Sequence, residues 1–187
     1  MEKVFEKYNV ACNTPTDIFQ HLPTIKRYSE QCETICEMGV RYVVSTWAML
    51  MAKPKKLISV DITYRDEVAE CKEICKEYGL NWEYVLESSL TYDMPNVDML
   101  FIDTIHTYKQ LDGELKKHGN NVNKYIVFHD TESYRDIGED SYHAINNPNP
   151  IGTGIWRAIE EFMAANPHWV IAEHFSNNNG LTILQRK

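Results

Sequence analysis

Four short stretches of this sequence carry acids and imidazoles whose spacing could do chemistry. Asp103-Thr104-Ile105-His106-Thr107-Tyr108 sets a histidine three residues after an acid, and Phe128-His129-Asp130-Thr131 sets a second histidine beside a second acid. Glu37 stands two residues before Gly39, and Asp61 follows Glu37 by 24 residues. Carboxylates with waters suit magnesium or manganese, and an imidazole among them draws the preference toward manganese, iron or zinc. Histidine, titrating at about 6.5, is also the side chain best placed to accept a proton at neutral pH. These residues therefore offer cation binding and proton transfer, provided the fold brings them together.

The elements around them say how it would. From about residue 33, short apolar runs alternate with helical patterns, which predicts a parallel sheet flanked by helices. Strands are expected over 34–38, 57–60, 82–86, 97–102 and 125–128. Helices are expected over 45–52, ended by Pro54, and over 68–78, where Val68, Cys71, Cys75 and Tyr78 share a face and Gly79 caps the end. Tyr108, Leu111 and Leu115 mark another helix, and 155–163 a further one, closed by Asn166-Pro167. Segments 169–174 and 181–185, joined by Asn177-Asn178-Asn179-Gly180, read as an antiparallel hairpin. Residues 131–152 lack periodicity, which marks a functional or a mobile loop.

Residues 1–32 read as an N-terminal helical cap, with Thr14-Pro15-Thr16-Asp17 as a helix start, and 33–187 as one globular unit. The expected fold is α/β: a doubly wound, seven-stranded, Rossmann-like sheet whose last strand is antiparallel. Open sheets of this kind bind ligands at the carboxyl ends of their strands, where the strand order reverses. Glu37, Asp61, Asp103 and the pair His129-Asp130 all fall at such ends. Folding alone does not ask for polar residues there.

Bulk properties bound the partners. The 187 residues suit one domain, with 43% hydrophobic and 25% charged residues. Nineteen Lys and Arg against 27 Asp and Glu give a formal charge of −8, which disfavours nucleic acid as a partner. Met1 to Lys7 mixes charges and lacks a signal peptide's apolar core, and no apolar run reaches the roughly 20 residues that span a bilayer. A cytoplasmic protein without membrane partners is expected, and association into a homo-oligomer stays open. Cys12, Cys32, Cys36, Cys71 and Cys75 are odd in number, against a disulfide framework, and Cys71 and Cys75 read as core residues rather than zinc ligands.

Glu37-Met38-Gly39-Val40-Arg41-Tyr42-Val43-Val44-Ser45-Thr46 resembles the first motif of Rossmann-type methyltransferases, with Arg41 and Val43 where the second and third glycines usually stand. The Asp-x-x-His-x-Tyr and His-Asp motifs are similar to those of metal-dependent O-methyltransferases. The nearest likeness is to enzymes that methylate sugar hydroxyls on natural products and to the cephalosporin-hydroxylase-like group. The resemblance covers roughly residues 33–187. It implies S-adenosylmethionine as cofactor, with Asp61 on the ribose, Ser88 and Ser89 near the adenine, and Gly39, Ser45 and Thr46 at the methionine end. Glu37 and Asp103 complete the implied cofactor set. It also implies a divalent metal, magnesium or manganese, on Asp103 and Asp130, with His129 where relatives use a carboxylate. His106 would be the general base and Asp103 its catalytic partner.

The implied reaction is methylation of a hydroxyl on a small molecule or glycan, entering under the 131–152 loop near Tyr134, Arg135, Tyr142 and His143. Two other readings stand beside it. One is a metal-dependent oxygenase on the same fold, with His106, His129 and Asp103 as a facial triad. The other is a non-catalytic nucleotide-binding relative in which the lost glycines reflect lost affinity. Individually, His129 could cap a turn, Asp130 could cap a helix and His106 could face solvent. Their joint placement at neighbouring strand ends speaks against that.

Overall fold

The computed structural model describes residues 1–139 and 153–187. Seven strands, β1 (Thr34–Met38), β2 (Lys56–Asp61), β3 (Trp82–Leu86), β4 (Val97–Ile102), β5 (Val122–His129), β6 (Trp169–Phe175) and β7 (Leu181–Arg186), form one sheet in the order β3-β2-β1-β4-β5-β7-β6. The first five pair in parallel, and β7 runs antiparallel to both β5 and β6. The order reverses between β1 and β4, which are neighbours although two strands separate them in sequence. A crevice is expected at that reversal.

Helices cover both faces. α1 (Glu2–Asn13), α2 (Leu22–Ser29), α3 (Val44–Met51) and α4 (Asp66–Tyr78) share one apolar core with Ile35, Leu57, Met99, Phe101 and Val127. α5 (Tyr108–His118) and α6 (Ile155–Ala165) share the other with Cys36, Met38, Ile58, Leu100 and Ile126. Strand residues alternate between these cores because successive side chains point to opposite faces. Cys71 and Cys75 are buried on α4 with their sulfurs 4.0 Å apart, as core residues.

The N-terminal segment is helical, but its punctuation differs from the expectation. α1 has ended by Thr14, which is extended at φ −105° and ψ 114°, and Pro15 disfavours the helical conformation at the residue before it. Helical backbone resumes two residues after Asp17, in a 3-10 turn over Phe19–His21 that runs into α2, which begins at Leu22 with Pro23 in its first turn. Residues 14–18 are thus a link between helices, and Asp17 lies on it. Among the described residues, no helix is long and apolar enough to cross a membrane.

The pairing registers level the strand ends. Met38 pairs with Val60 on one side and Ile102 on the other, and Ile102 pairs with Phe128. Gly39, Asp61, Asp103 and His129 therefore emerge side by side along one edge of the sheet.

Candidate functional site

The turn leaving β1 is shaped by how closely β1 and β4 approach at the reversal. Gly39 has φ +86°, and a Cβ there would sit 1.9 Å from the Asp103 carbonyl oxygen. Glycine is thus required by the chain itself at this crossing. Farther along, Arg41 (φ 49°) and Val43 (φ 65°) also hold the left-handed conformation. Left-handed backbone thus recurs at residues 39, 41 and 43, with glycine only at the first of them. For a β-branched residue such as Val43 that conformation is strained by about 1–3 kcal/mol. Its complete burial in the core offsets the strain.

Asp61, at the end of β2, ties this turn down. Its Oδ2 accepts from Val40 N (2.8 Å) and Arg41 N (3.0 Å), and its Oδ1 accepts from Thr63 N (2.8 Å). Glu37 lies behind the turn. It is completely buried and accepts from Ser45 Oγ (2.6 Å), Thr46 Oγ1 (2.8 Å) and Ser59 Oγ (2.5 Å), while Trp82 Nε1 donates to Ser59 (2.8 Å). Burial pushes the Glu37 carboxyl up to about 7, although the three hydroxyls pull the other way.

Two cavities open on either side of the Gly39 turn and share Gly39, Val40, Arg41, Asp103 and Thr104. The smaller, about 400 Å³, is lined by Asp61, Ile62, Ser88, Ser89, Leu90 and Gln110 among others. The larger, about 600 Å³, is lined by Asp17, Tyr42, Ser45, His106, Asp130, Tyr134 and Glu139 among others. Of the expected cofactor residues, Gly39, Ser45, Asp61, Ser88, Ser89 and Asp103 line a cavity. Glu37 and Thr46 do not; their side chains hold β1 to α3 from behind. Tyr108 of the Asp-x-x-His-x-Tyr motif also points away and bonds Glu161 at 2.6 Å. In the expected substrate loop, Tyr134 lines the larger cavity, whereas Arg135 lies over Trp156 and pairs with Glu132. Tyr142 and His143 fall outside the described residues.

At the ends of β4 and β5 the acids and imidazoles converge. His106 Nε2 stands 3.1 Å from Asp103 Oδ1 and 2.9 Å from Asp130 Oδ2, and its Nδ1 stands 2.7 Å from Glu139 Oε2. Glu139 Oε2 also accepts from His106 N (2.9 Å), and Glu139 N donates to His106 O (2.9 Å). Tyr134 stacks on the His106 ring at 4.7 Å, with 6° between the planes. His129 Nδ1 lies 3.4 Å from Asp103 Oδ1 and 3.5 Å from Asp130 Oδ2.

Burial works against every charge in this cluster, but opposite charges outweigh it. The histidines hold Asp103 well below the carboxylate range and Asp130 down to about 2. The carboxylates in turn hold His129 up to about 10 and His106 well above its ordinary value. In this arrangement both His106 nitrogens face carboxylates, so neither offers the free lone pair that a general base needs.

The donor set fits a divalent cation. Asp103, His129 and Asp130 each offer a ligand atom, all within 4.8 Å of one another. His129 Nε2 faces two carbonyls, Asp17 O at 3.1 Å and Asn178 O at 3.3 Å. Carbonyls only accept, so this nitrogen carries the hydrogen, and in the neutral ring Nδ1 keeps its lone pair toward the acids. Asp130 Oδ1 is buried without a hydrogen-bond partner among the described residues, an unused ligand atom of a kind that folding alone rarely leaves.

Sequence reasoning missed three contributors. Glu139 grips His106 from 33 residues away. Asp17 orients His129 through its carbonyl oxygen, which no side-chain pattern announces. The turn between β6 and β7 locks onto the link between α1 and α2, with Asn178 Nδ2 donating to Thr16 O (2.9 Å) and Gln20 N donating to Asn178 Oδ1 (2.9 Å).

No protein-family model matches the chain, and no curated protein matches it in sequence. Solved structures do match in fold. The N-methyltransferase NodS of Bradyrhizobium japonicum in complex with S-adenosylhomocysteine superposes with a TM-score of 0.65 at 10% identity, over 99% of this chain and 97% of that one. A candidate caffeoyl-CoA O-methyltransferase of Staphylococcus aureus gives 0.64 at 13%, over 100% and 91%. A Podospora anserina methyltransferase bound to S-adenosylhomocysteine gives 0.62 at 13%, over 100% and 88%. At such identities the likeness is one of architecture: the chain has the seven-stranded fold of the Rossmann-like methyltransferases.

Proposed function

We propose that the chain is an S-adenosylmethionine-dependent O-methyltransferase that acts on a hydroxyl of a small molecule or glycan beside a divalent cation. The observation that carries this reading is the convergence of Asp103, His129 and Asp130 at a cavity joined to a second one through the Gly39 turn. The smaller cavity suits adenosine. Of the four lone-pair sites on Asp61, three are taken by backbone N–H groups, which leaves one for a ribose hydroxyl. The larger cavity suits the methionine end and the acceptor.

S-adenosylmethionine supplies a sulfonium methyl open to attack by an oxygen nucleophile. A divalent cation would lower the pKa of a coordinated hydroxyl and offset the charge of the alkoxide. Asp103 and Asp130 supply carboxylate oxygens and His129 a nitrogen, a mixed set that accommodates manganese as well as magnesium. His106 Nε2 faces Asp103 and Asp130, so it would accept a proton only with those two carboxylates committed to a cation. Glu139 keeps the ring oriented through Nδ1, and Tyr134 shields one face of it.

Calorimetry with S-adenosylhomocysteine, with and without manganese, tests both halves of the reading. Binding in the low-micromolar to sub-millimolar range is expected, weakened about tenfold to a hundredfold in Asp61→Ala. An absence of cofactor heat overturns the methyltransferase reading. Full methyl transfer in excess chelator removes the cation from it.

A further inference from the structure

The floor of the smaller cavity is unusual. α5 places Gln110, Glu114 and His118 four residues apart on one face, and all three are buried, at 9%, 0% and 0% exposure. A helix normally turns apolar residues toward a sheet, and a buried carboxylate is costly unless hydrogen bonds compensate it. Here they do. Glu114 Oε1 receives Ser89 Oγ (2.6 Å), Thr104 Oγ1 (2.8 Å) and Gln110 Nε2 (2.8 Å), and Gln110 Nε2 also lies 3.0 Å from Ser89 Oγ. One turn on, His118 Nε2 donates to the Ser89 carbonyl oxygen at 2.7 Å. The stripe thus holds the segment after β3 and the end of β4 in fixed positions around the cavity.

This network also fixes an amide. A carboxylate oxygen that already collects hydroxyl donors accepts only the N–H end of Gln110, since the flipped amide would set two oxygens 2.8 Å apart. The hydroxyls of Ser89 and Thr104, on the same cavity wall, are spent on Glu114. Among the described residues no donor reaches the Gln110 carbonyl oxygen, which leaves it as an acceptor for the cavity, beside the apolar side chains of Ile62, Leu90 and Ile105, which suit the faces of a flat base.

We infer that Gln110 reads the base of the cofactor, its Oε1 accepting from the exocyclic amine of adenine, and that Glu114 is the positioning residue that keeps the amide in that orientation. The inference rests on the proposed cofactor reading. A purine with a carbonyl in place of the amine would meet Oε1 with another acceptor and be rejected, because a site built around a donor strongly disfavours the analogue that lacks it.

The test is calorimetry of S-adenosylhomocysteine against S-inosylhomocysteine, with thermal unfolding to verify the fold of each variant. The wild type is expected to prefer the adenine compound by about tenfold or more. Gln110→Met, of similar shape, should erase the preference. Glu114→Gln should narrow it, since an amide at 114 accommodates either orientation of Gln110; if that variant fails to fold, Gln110→Met decides alone. A merely structural role would weaken both ligands alike and leave their ratio unchanged. Equal binding of the two ligands by the wild type, or a preference that survives in Gln110→Met, overturns the inference and spares the cofactor reading. No binding of S-adenosylhomocysteine by the wild type overturns both.

Discussion

A buried carboxylate, Glu37, and a pair of carboxylates, half-buried Asp103 and buried Asp130, flank the turn after β1, and their electrostatics run in opposite directions. Glu37 meets only neutral hydroxyls, and burial lifts it to about 7. Asp103 and Asp130 meet two imidazoles, which hold them ionised despite burial. The first network is closed in its hydrogen bonds: its acceptors face donors on α3 and β2, and Glu37 itself lines neither cavity, although Ser45 borders the larger one. The second keeps an oxygen on Asp130 without a partner among the described residues and faces the larger cavity. A satisfied polar network rigidifies a fold, whereas convergent charged groups with spare ligand capacity belong to a site. Residue type and strand-end placement are the same in both. The partners make the difference.

The comparison can be broken first at its charged half. Asp103→Asn removes a proposed ligand and one of the acids that holds His106, so methyl transfer is expected to fall by about a hundredfold or more. Calorimetry with manganese should show weakened binding in the same variant. Turnover near the wild-type rate would place Asp103 with Glu37 as a structural acid.

The closed half responds to pH instead. The folded state holds the Glu37 proton up to about 7, against an ordinary value of 4.5, so folding takes up a proton between those limits. Stability therefore falls as pH rises across that window, by at most about 3 kcal/mol. Glu37→Gln should flatten this dependence and leave the protein more stable than the wild type at pH 8 than at pH 5, in relative terms. Urea unfolding at the two pH values measures it, and a slope unchanged by the substitution would mean that Glu37 is ionised in the fold after all.

The smallest effect is expected in the turn between the two groups. Arg41→Gly relieves a left-handed residue but adds freedom to the unfolded chain, and its side chain is largely exposed with a solvent-facing partner in Asp17. Thermal unfolding should register a change within about 1 kcal/mol. A larger loss would show that the Arg41–Asp17 pair fastens the link between α1 and α2 over the site.

The sheet was largely legible in the sequence because burial on both faces writes apolar runs, and turns write glycine, proline and asparagine between them. Strand ends fell within a few residues of their expected places, and the four acidic or imidazole ends did come out on one edge. What failed to show was which way each side chain points. Glu37 and Asp61 look alike at their strand ends, yet Glu37 turns to α3 and Asp61 to the Gly39 turn. The stripe Gln110, Glu114 and His118 is masked in the sequence, because Tyr108, Leu111 and Leu115 mark the same helix with the ordinary apolar pattern.

By itself, then, the sequence determined the alternation of strands and helices, the antiparallel hairpin at the end and the pair of motifs after β4 and β5, since these rest on local periodicity and on residue chemistry. Only the tertiary structure decided which acids share a cavity, that His106 sits among three carboxylates, and that Arg41 and Val43 keep a glycine-like turn. Those outcomes depend on contacts between residues far apart in the chain, such as Glu139 with His106 and Asp17 with His129, and on burial that shifts the same carboxyl group up in one place and down in another.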